Sequence, residues 1–154
     1  MKTEKTKGFT YIELLVAATI LAILASAVVP FLKLTVKRKK EIQLRRSLRE
    51  IRRAIDRYKE LSDMGVIPKG GPETMGYPPD LETLVDGVRI IGTVNRKIRF
   101  LRRIPVDPMT GKAEWGLRSV QDDPDSTTWG GQNVYDVYSL SEGTAIDGTK
   151  YKDW

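Results

Sequence analysis

Glu13 is the residue whose chemistry first needs a reason. It stands at the edge of an apolar run, Leu14 to Leu32, that holds no charge and only Thr19 and Ser26 as polar side chains. As a helix rising about 1.5 Å per residue, such a run spans a hydrocarbon core of roughly 30 Å. A carboxylate at the rim of that span is costly unless a cation meets it, so the chemistry it offers is ion pairing. Just before it, a leader of net charge +2, residues 1–8, ends in Gly8 and is followed by Phe9.

Bond-making chemistry finds little support. The chain has no cysteine and no histidine, which removes disulfides and thiolate zinc sites. It contains no GxxxxGK[ST], GxGxxG, HExxH or GxSxG pattern. No enzymatic activity is expected.

Two simpler readings of the N-terminus fall short. Ala25-Ser26-Ala27 imitates a signal-peptidase site, but such a site leaves the Gly8-Phe9 junction unexplained. A plain anchor accounts for the apolar run and not for Glu13. The segment GFTYIELLVAATILAILASAVVP resembles the class III signal of type IV pilins and type II secretion pseudopilins, with Tyr11 where leucine is commoner. The resemblance implies cleavage by a prepilin peptidase between Gly8 and Phe9 and N-methylation of Phe9. It also places Glu13 fifth after the cut, as the assembly residue. A new amine at Phe9 and a carboxylate at Glu13 relieve each other's burial cost if helices stack with an axial stagger, and such a pair would set register.

Charge is segregated along the chain. Lys33 to Lys59 carries 12 Lys/Arg against Glu41, Glu50 and Asp56, whereas residues 60–154 have a net charge of −4. A basic stretch of this kind suits nucleic acid, an anionic membrane surface or acidic neighbours in a filament, although a solvated face explains it more simply. The charge bias also favours a cytoplasmic C-terminal side, against the resemblance, which places that side outside the cytoplasm. The cleavage motif is the stronger signal.

Leu44, Leu48, Ile51, Ile55 and Tyr58 recur in steps of 4, 3, 4 and 3, a single apolar stripe on a helix. The span is therefore expected to continue into an amphipathic helix of some 50 residues, about 75 Å long, with Pro30 kinking or locally melting it. Beyond Leu61, eight glycines and prolines make residues 64–79 a loop. Asp80 caps a short helix over 81–85. Residues 113–117 and 134–140 are candidate strands, and 120–133 reads as a long acidic loop. Trp154 is expected to fold back onto the domain.

Several landmarks are similar to those of the major, or G-type, pseudopilin. They are Gly76-Tyr77-Pro78, the helix LETLV, Ile104-Pro105-Val106-Asp107-Pro108, Tyr135-Asp136-Val137-Tyr138-Ser139 and Asp153-Trp154. Departures are the length of the acidic loop and Met109 in a place where an aromatic is common. The resemblance implies a C-terminal calcium site, for which the candidates are the Leu140 carbonyl, Glu142, Asp147, Thr149 and Asp153. Calcium takes roughly six to eight oxygen ligands. The loop is shorter than the family's, however, and Asp147-Gly148 reads equally as a plain turn. No other cofactor is expected.

The expected architecture is α+β: a long N-terminal transmembrane and amphipathic helix packed on a small antiparallel β-sheet. Residues 1–8 are the leader, 9–32 the transmembrane helix, 33–61 its amphipathic continuation and 62–154 a periplasmic domain. By resemblance the chain is a structural subunit of a type II secretion pseudopilus, single-pass in the inner membrane. Its partners are copies of itself, minor pseudopilins, the prepilin peptidase and the inner-membrane assembly platform, with no nucleic acid expected. The alternative is a type IV pilin or competence-type pseudopilin of an adhesion, motility or DNA-uptake fibre.

Overall fold

The structure is a computed structural model that describes residues 8–154, without the side chains of residues 27–30. The first seven leader residues lie outside this range. The chain divides into two compact units, Met1–Arg38 and Lys39–Trp154. One helix, α1, runs Tyr11–Asp63, and its helical assignment continues through Pro30.

In the first unit the helix from Leu14 to Ser26 carries no charge and every one of its residues is exposed. Leu14, Leu15, Ile20, Leu21, Ile23, Leu24 and Phe31 all lie open. The helix is long and apolar enough to cross a membrane by length and composition. Its few polar side chains bond to their own backbone. The Thr19 hydroxyl donates to the Leu15 carbonyl at 2.8 Å and the Ser26 hydroxyl to the Ile23 carbonyl at 2.7 Å. Groups satisfied in this way need no water, as a hydrocarbon environment demands.

In the second unit the helix changes to a one-sided pattern. Leu44, Leu48, Ile51, Ile55, Tyr58 and Leu61 are buried, and they form one cluster with Ile67, Leu84, Leu101, Trp115, Val134 and Val137. The expected stripe is thus the spine of the core. Around it the regular structure is sparse. α2 (Leu81–Asp86) is capped by Asp80, whose carboxylate accepts from the Thr83 amide at 2.7 Å. β1 (Val88–Arg89) pairs antiparallel with β2 (Lys97–Ile98). β3 (Gly116–Arg118) pairs antiparallel with β4 (Asp136–Tyr138), with Leu117 opposite Val137. The α+β arrangement holds, with two separate two-stranded sheets; β4 lies inside its expected segment, whereas β3 overlaps the end of 113–117 and runs one residue past it, and both are shorter than expected. Gly116 is required where it stands, because a Cβ there would enter the Tyr138 ring.

Short strands leave many backbone groups unpaired, and buried side chains take up part of that deficit. Asp107 is fully buried; its carboxylate accepts from the Met109 amide at 2.7 Å and the Ser139 hydroxyl at 2.6 Å. This ties the Pro105–Gly111 turn to the end of β4. The 120–133 segment is more ordered than a solvated loop. Buried Asn133 donates to the Glu73 carbonyl and the Gln121 side chain, and its own side-chain oxygen accepts from the Val120 amide at 3.1 Å. Asp122 accepts from the Ser119 and Gly130 amides, which hold its carboxyl below the usual carboxylate range.

Truncating the stripe should unfold the second unit. Ile51→Ala is expected to cost about 2–5 kcal/mol, whereas Ile42→Ala, on the exposed face, should change stability by less than about 0.5 kcal/mol. Urea unfolding of the full-length protein in micelles, followed by tryptophan fluorescence, measures both.

Candidate functional site

Where the helix begins, Thr10 and Glu13 form a reciprocal capping box. The Thr10 amide and hydroxyl donate to Glu13 Oε2 at 2.8 and 2.7 Å, and the Glu13 amide donates to Thr10 Oγ1 at 3.4 Å. A helix start leaves amide donors without partners, and a Thr-x-x-Glu pair satisfies two of them. Both Thr10 bonds end on Oε2, and Oε1 takes no bond among the described residues. Sequence reading missed this local role, although Thr10 three positions before Glu13 is a signature of it. Gly8 and Phe9 precede the helix, and Phe9 is 88% exposed. The junction between them is therefore open to solvent or to an enzyme.

The C-terminal segment does not gather its acids. Asp147 Oδ1 accepts from the Thr149 hydroxyl at 2.6 Å and the Thr149 amide at 3.0 Å, an Asx-type turn. Those two bonds, and more weakly the Arg45 guanidinium at 3.4 Å, hold the Asp147 carboxyl below its ordinary range. Thr149 Oγ1 in turn accepts from the Trp154 indole at 2.7 Å. Glu142 and Asp153 line separate hollows, each shared with Lys150 and Lys152. Leu140 lies exposed just beyond β4. Among the described residues no group of three or more acidic side chains is placed to hold a metal ion. A calcium cage needs several anionic oxygens facing one point, and here ammonium and guanidinium groups occupy their surroundings. The five residues do not fit calcium in this arrangement.

The same segment is instead locked to the helix by three polar anchors. Arg52 donates through Nε to Asp136 at 2.6 Å, and its Nη2 reaches the Val137 carbonyl at 3.1 Å and the Trp154 main-chain oxygen at 2.9 Å. Arg45 lies 4.0 Å from the centre of the Trp154 ring. Glu41 accepts from the Ile146 amide and the Tyr151 hydroxyl, each at 2.9 Å. Burial, reinforced by the Glu41 carboxylate, pushes the Tyr151 phenol up to about 12. Trp154 does fold back onto the domain, stacked edge-on against Tyr151.

With this geometry in place, the comparisons with known proteins become informative. Residues 5–29 match the family model described as the prokaryotic N-terminal methylation motif. No curated protein and no solved structure matches the chain. The matched segment holds the Gly8-Phe9 junction, the Thr10–Glu13 capping box and most of the exposed apolar helix. It supports a type IV pilin-like protein, processed as a prepilin and anchored in a membrane by its N-terminal helix.

Two outcomes check the C-terminal anchors. Arg52→Ala should destabilise the protein by about 1.5–3 kcal/mol, since it removes charge-assisted bonds to Asp136 and to two main-chain oxygens and leaves Asp136 only the Arg118 guanidinium at 3.9 Å. Arg53→Ala, one position along on the exposed face, should be near neutral; chemical denaturation compares the two. For Tyr151 the folded-state value lies above the ordinary 10.0, so its contribution is complete below pH 10 and is lost as pH rises through about 12. Tyr151→Phe should flatten that part of a stability-against-pH profile recorded by thermal melting.

Proposed function

We propose that this chain is a structural, non-catalytic subunit of a type II secretion pseudopilus, of the major G-type. The observation that carries the reading is one coincidence. Within the segment matching the methylation motif, residues 5–29, the helix from Leu14 to Ser26 is apolar but for two hydroxyls and lies open along its whole length. An apolar surface of that extent is stable only in lipid or against like helices, and a filament subunit meets both in turn. In this reading a prepilin peptidase removes residues 1–8 after Gly8 and methylates the new N-terminus at Phe9. Residues 9–32 then hold the subunit in the inner membrane, 33–61 carry the helix onward, and 62–154 lie in the periplasm. Minor pseudopilins and the inner-membrane assembly platform complete the machine.

Glu13 has two oxygens for two tasks. Oε2 closes the capping box with Thr10, which keeps the helix start intact. Oε1 receives the Phe9 amine of the neighbouring subunit, so that a pair of charges too costly to leave apart in lipid fixes the axial step between subunits. The pair adds specificity of register, and the apolar faces supply the burial that holds the filament together.

Intact mass of the protein extracted from membranes, with and without the peptidase, tests the processing. Loss of residues 1–8 with one added methyl group on Phe9 is expected, and an uncut chain or a cut after Ala27 would overturn the reading. A second measurement separates the two tasks of Glu13. Glu13→Gln keeps an amide oxygen for the cap and removes the charge, so the matured protein should remain helical by circular dichroism and fail to form filaments under electron microscopy. Normal filaments from that variant would remove the assembly role.

A further inference from the structure

Four arginines of the helix gather on one exposed face. Arg46, Arg49, Arg53 and Arg57 follow one another at intervals of three and four residues, on the exposed face of α1 that points away from its buried stripe. Across from them, the segment after β2 brings Arg99 and Arg102 to the opposite wall. The six side chains line a single groove of about 840 Å³, floored by Ala54, Ile98, Phe100 and Leu101. Glu50 is the one carboxylate among its lining residues. A second hollow, which shares Arg46 and Glu50, extends the groove toward Lys39 and Arg103. Arg57 pairs with Glu60; Arg46, Arg49, Arg53, Arg99 and Arg102 pair with no carboxylate among the described residues.

So many unpaired guanidinium groups facing one another repel, and an arrangement of this kind is stabilised by an anion that lies between them. We infer that the groove between residues 46–57 of α1 and residues 99–103 binds the phosphodiester backbone of a nucleic acid, without regard to base sequence. The spacing of the arginines favours this occupant over an acidic protein, and guanidinium chemistry and the acid content of this chain agree with it. Successive arginines on the stripe are about 4.5–6 Å apart along the axis, from the rise per residue, a regular interval suited to the repeating charge of a phosphodiester strand. Guanidinium forks on both walls match phosphate oxygens bidentately. A second copy of this chain has too little to offer: its densest acidic loop is Asp122, Asp123 and Asp125, and Asp122 is already engaged by the Ser119 and Gly130 amides. The groove presents no free aromatic platform, since Phe100 packs on Tyr58 at 5.3 Å between ring centres. Base stacking therefore plays no part, and the contacts are to phosphate. The inference departs from the expectation that nucleic acid is no partner, which treated the arginines as a solvated face. It goes beyond the filament reading and stands or falls separately from it.

The test uses the full-length protein in zwitterionic micelles and fluorescein-labelled 20-mer duplex DNA of two unrelated sequences, followed by anisotropy across a salt series. Equal binding of both sequences is expected. The triple variant Arg49→Gln, Arg53→Gln, Arg102→Gln should weaken binding at least tenfold at low salt. It should also lower the slope of log affinity against log salt by roughly 0.9 for each arginine that met a phosphate. A control triple with the same charge loss, Lys112→Gln, Lys150→Gln, Lys152→Gln, should leave affinity within about twofold of the parent, because those residues lie outside the groove. Circular dichroism verifies that both variants are folded. Absence of binding, or equal loss from the two triples, would overturn the proposal. So would binding of poly-glutamate as tight as that of DNA with the same sensitivity to the groove triple, which would assign the surface to an acidic protein.

Discussion

The regular structure of residues 64–154 is two pairs of strands, each strand two or three residues long, one α-helix of six residues and two 3-10 turns of three residues each. Two-stranded ribbons of that length are at best marginal in water. What makes them a folded unit is the apolar stripe of α1 from Leu44 to Leu61, against which Trp115, Val134, Val137 and Leu84 pack. The stripe brings its own hydrogen-bonded backbone and needs no help from the sheets. It is the single preformed surface in the unit, and every other element is placed by burying apolar atoms on it.

A core organised in this way leaves irregular backbone to be satisfied by side chains, and the buried polar residues do that work. Asp107 gathers a turn and the end of β4, and Asn133 gathers the loops at residues 73 and 120. Arg52 and Glu41, both on the same side of the stripe, hold the last strand and the segment after it. These groups add modest net stability, since each also loses its water. Their larger effect is to forbid alternatives, because a shifted strand would strand a buried donor or carboxylate. The cations near Asp147, Glu142 and Asp153 follow from the same tethering and explain why those acids do not converge on a calcium ion.

The helix serves two environments with one backbone. Its first part has no polar side at all and hides its two hydroxyls in its own carbonyls, as a helix in hydrocarbon must. Its later part carries an apolar stripe on one side and guanidinium groups on another. At the very start, Glu13 meets a local need, the orphan amides of the first turn, with the carboxylate that the proposed assembly also uses. A charge that already has a structural task is cheaper to keep at the edge of a membrane, because part of its desolvation is offset before any partner arrives.

The local rules were sufficient for much of this protein. A run of nineteen uncharged residues, a 3–4 spacing of Leu44 to Tyr58 and an Asp80 cap each depend on neighbours within a turn or two of chain, so the helices, the span and the core stripe were legible from the sequence. The N-terminal motif over residues 5–29, which holds Gly8, Phe9 and Glu13, was legible for the same reason. Contacts across 80 to 110 positions were not. The order of residues does not indicate that Arg52 would tie to Asp136 or that Glu41 would meet Tyr151. Which basic residues share one groove, and which acids face cations rather than each other, depends on how loops close over the stripe, and packing of the whole unit decides that closure.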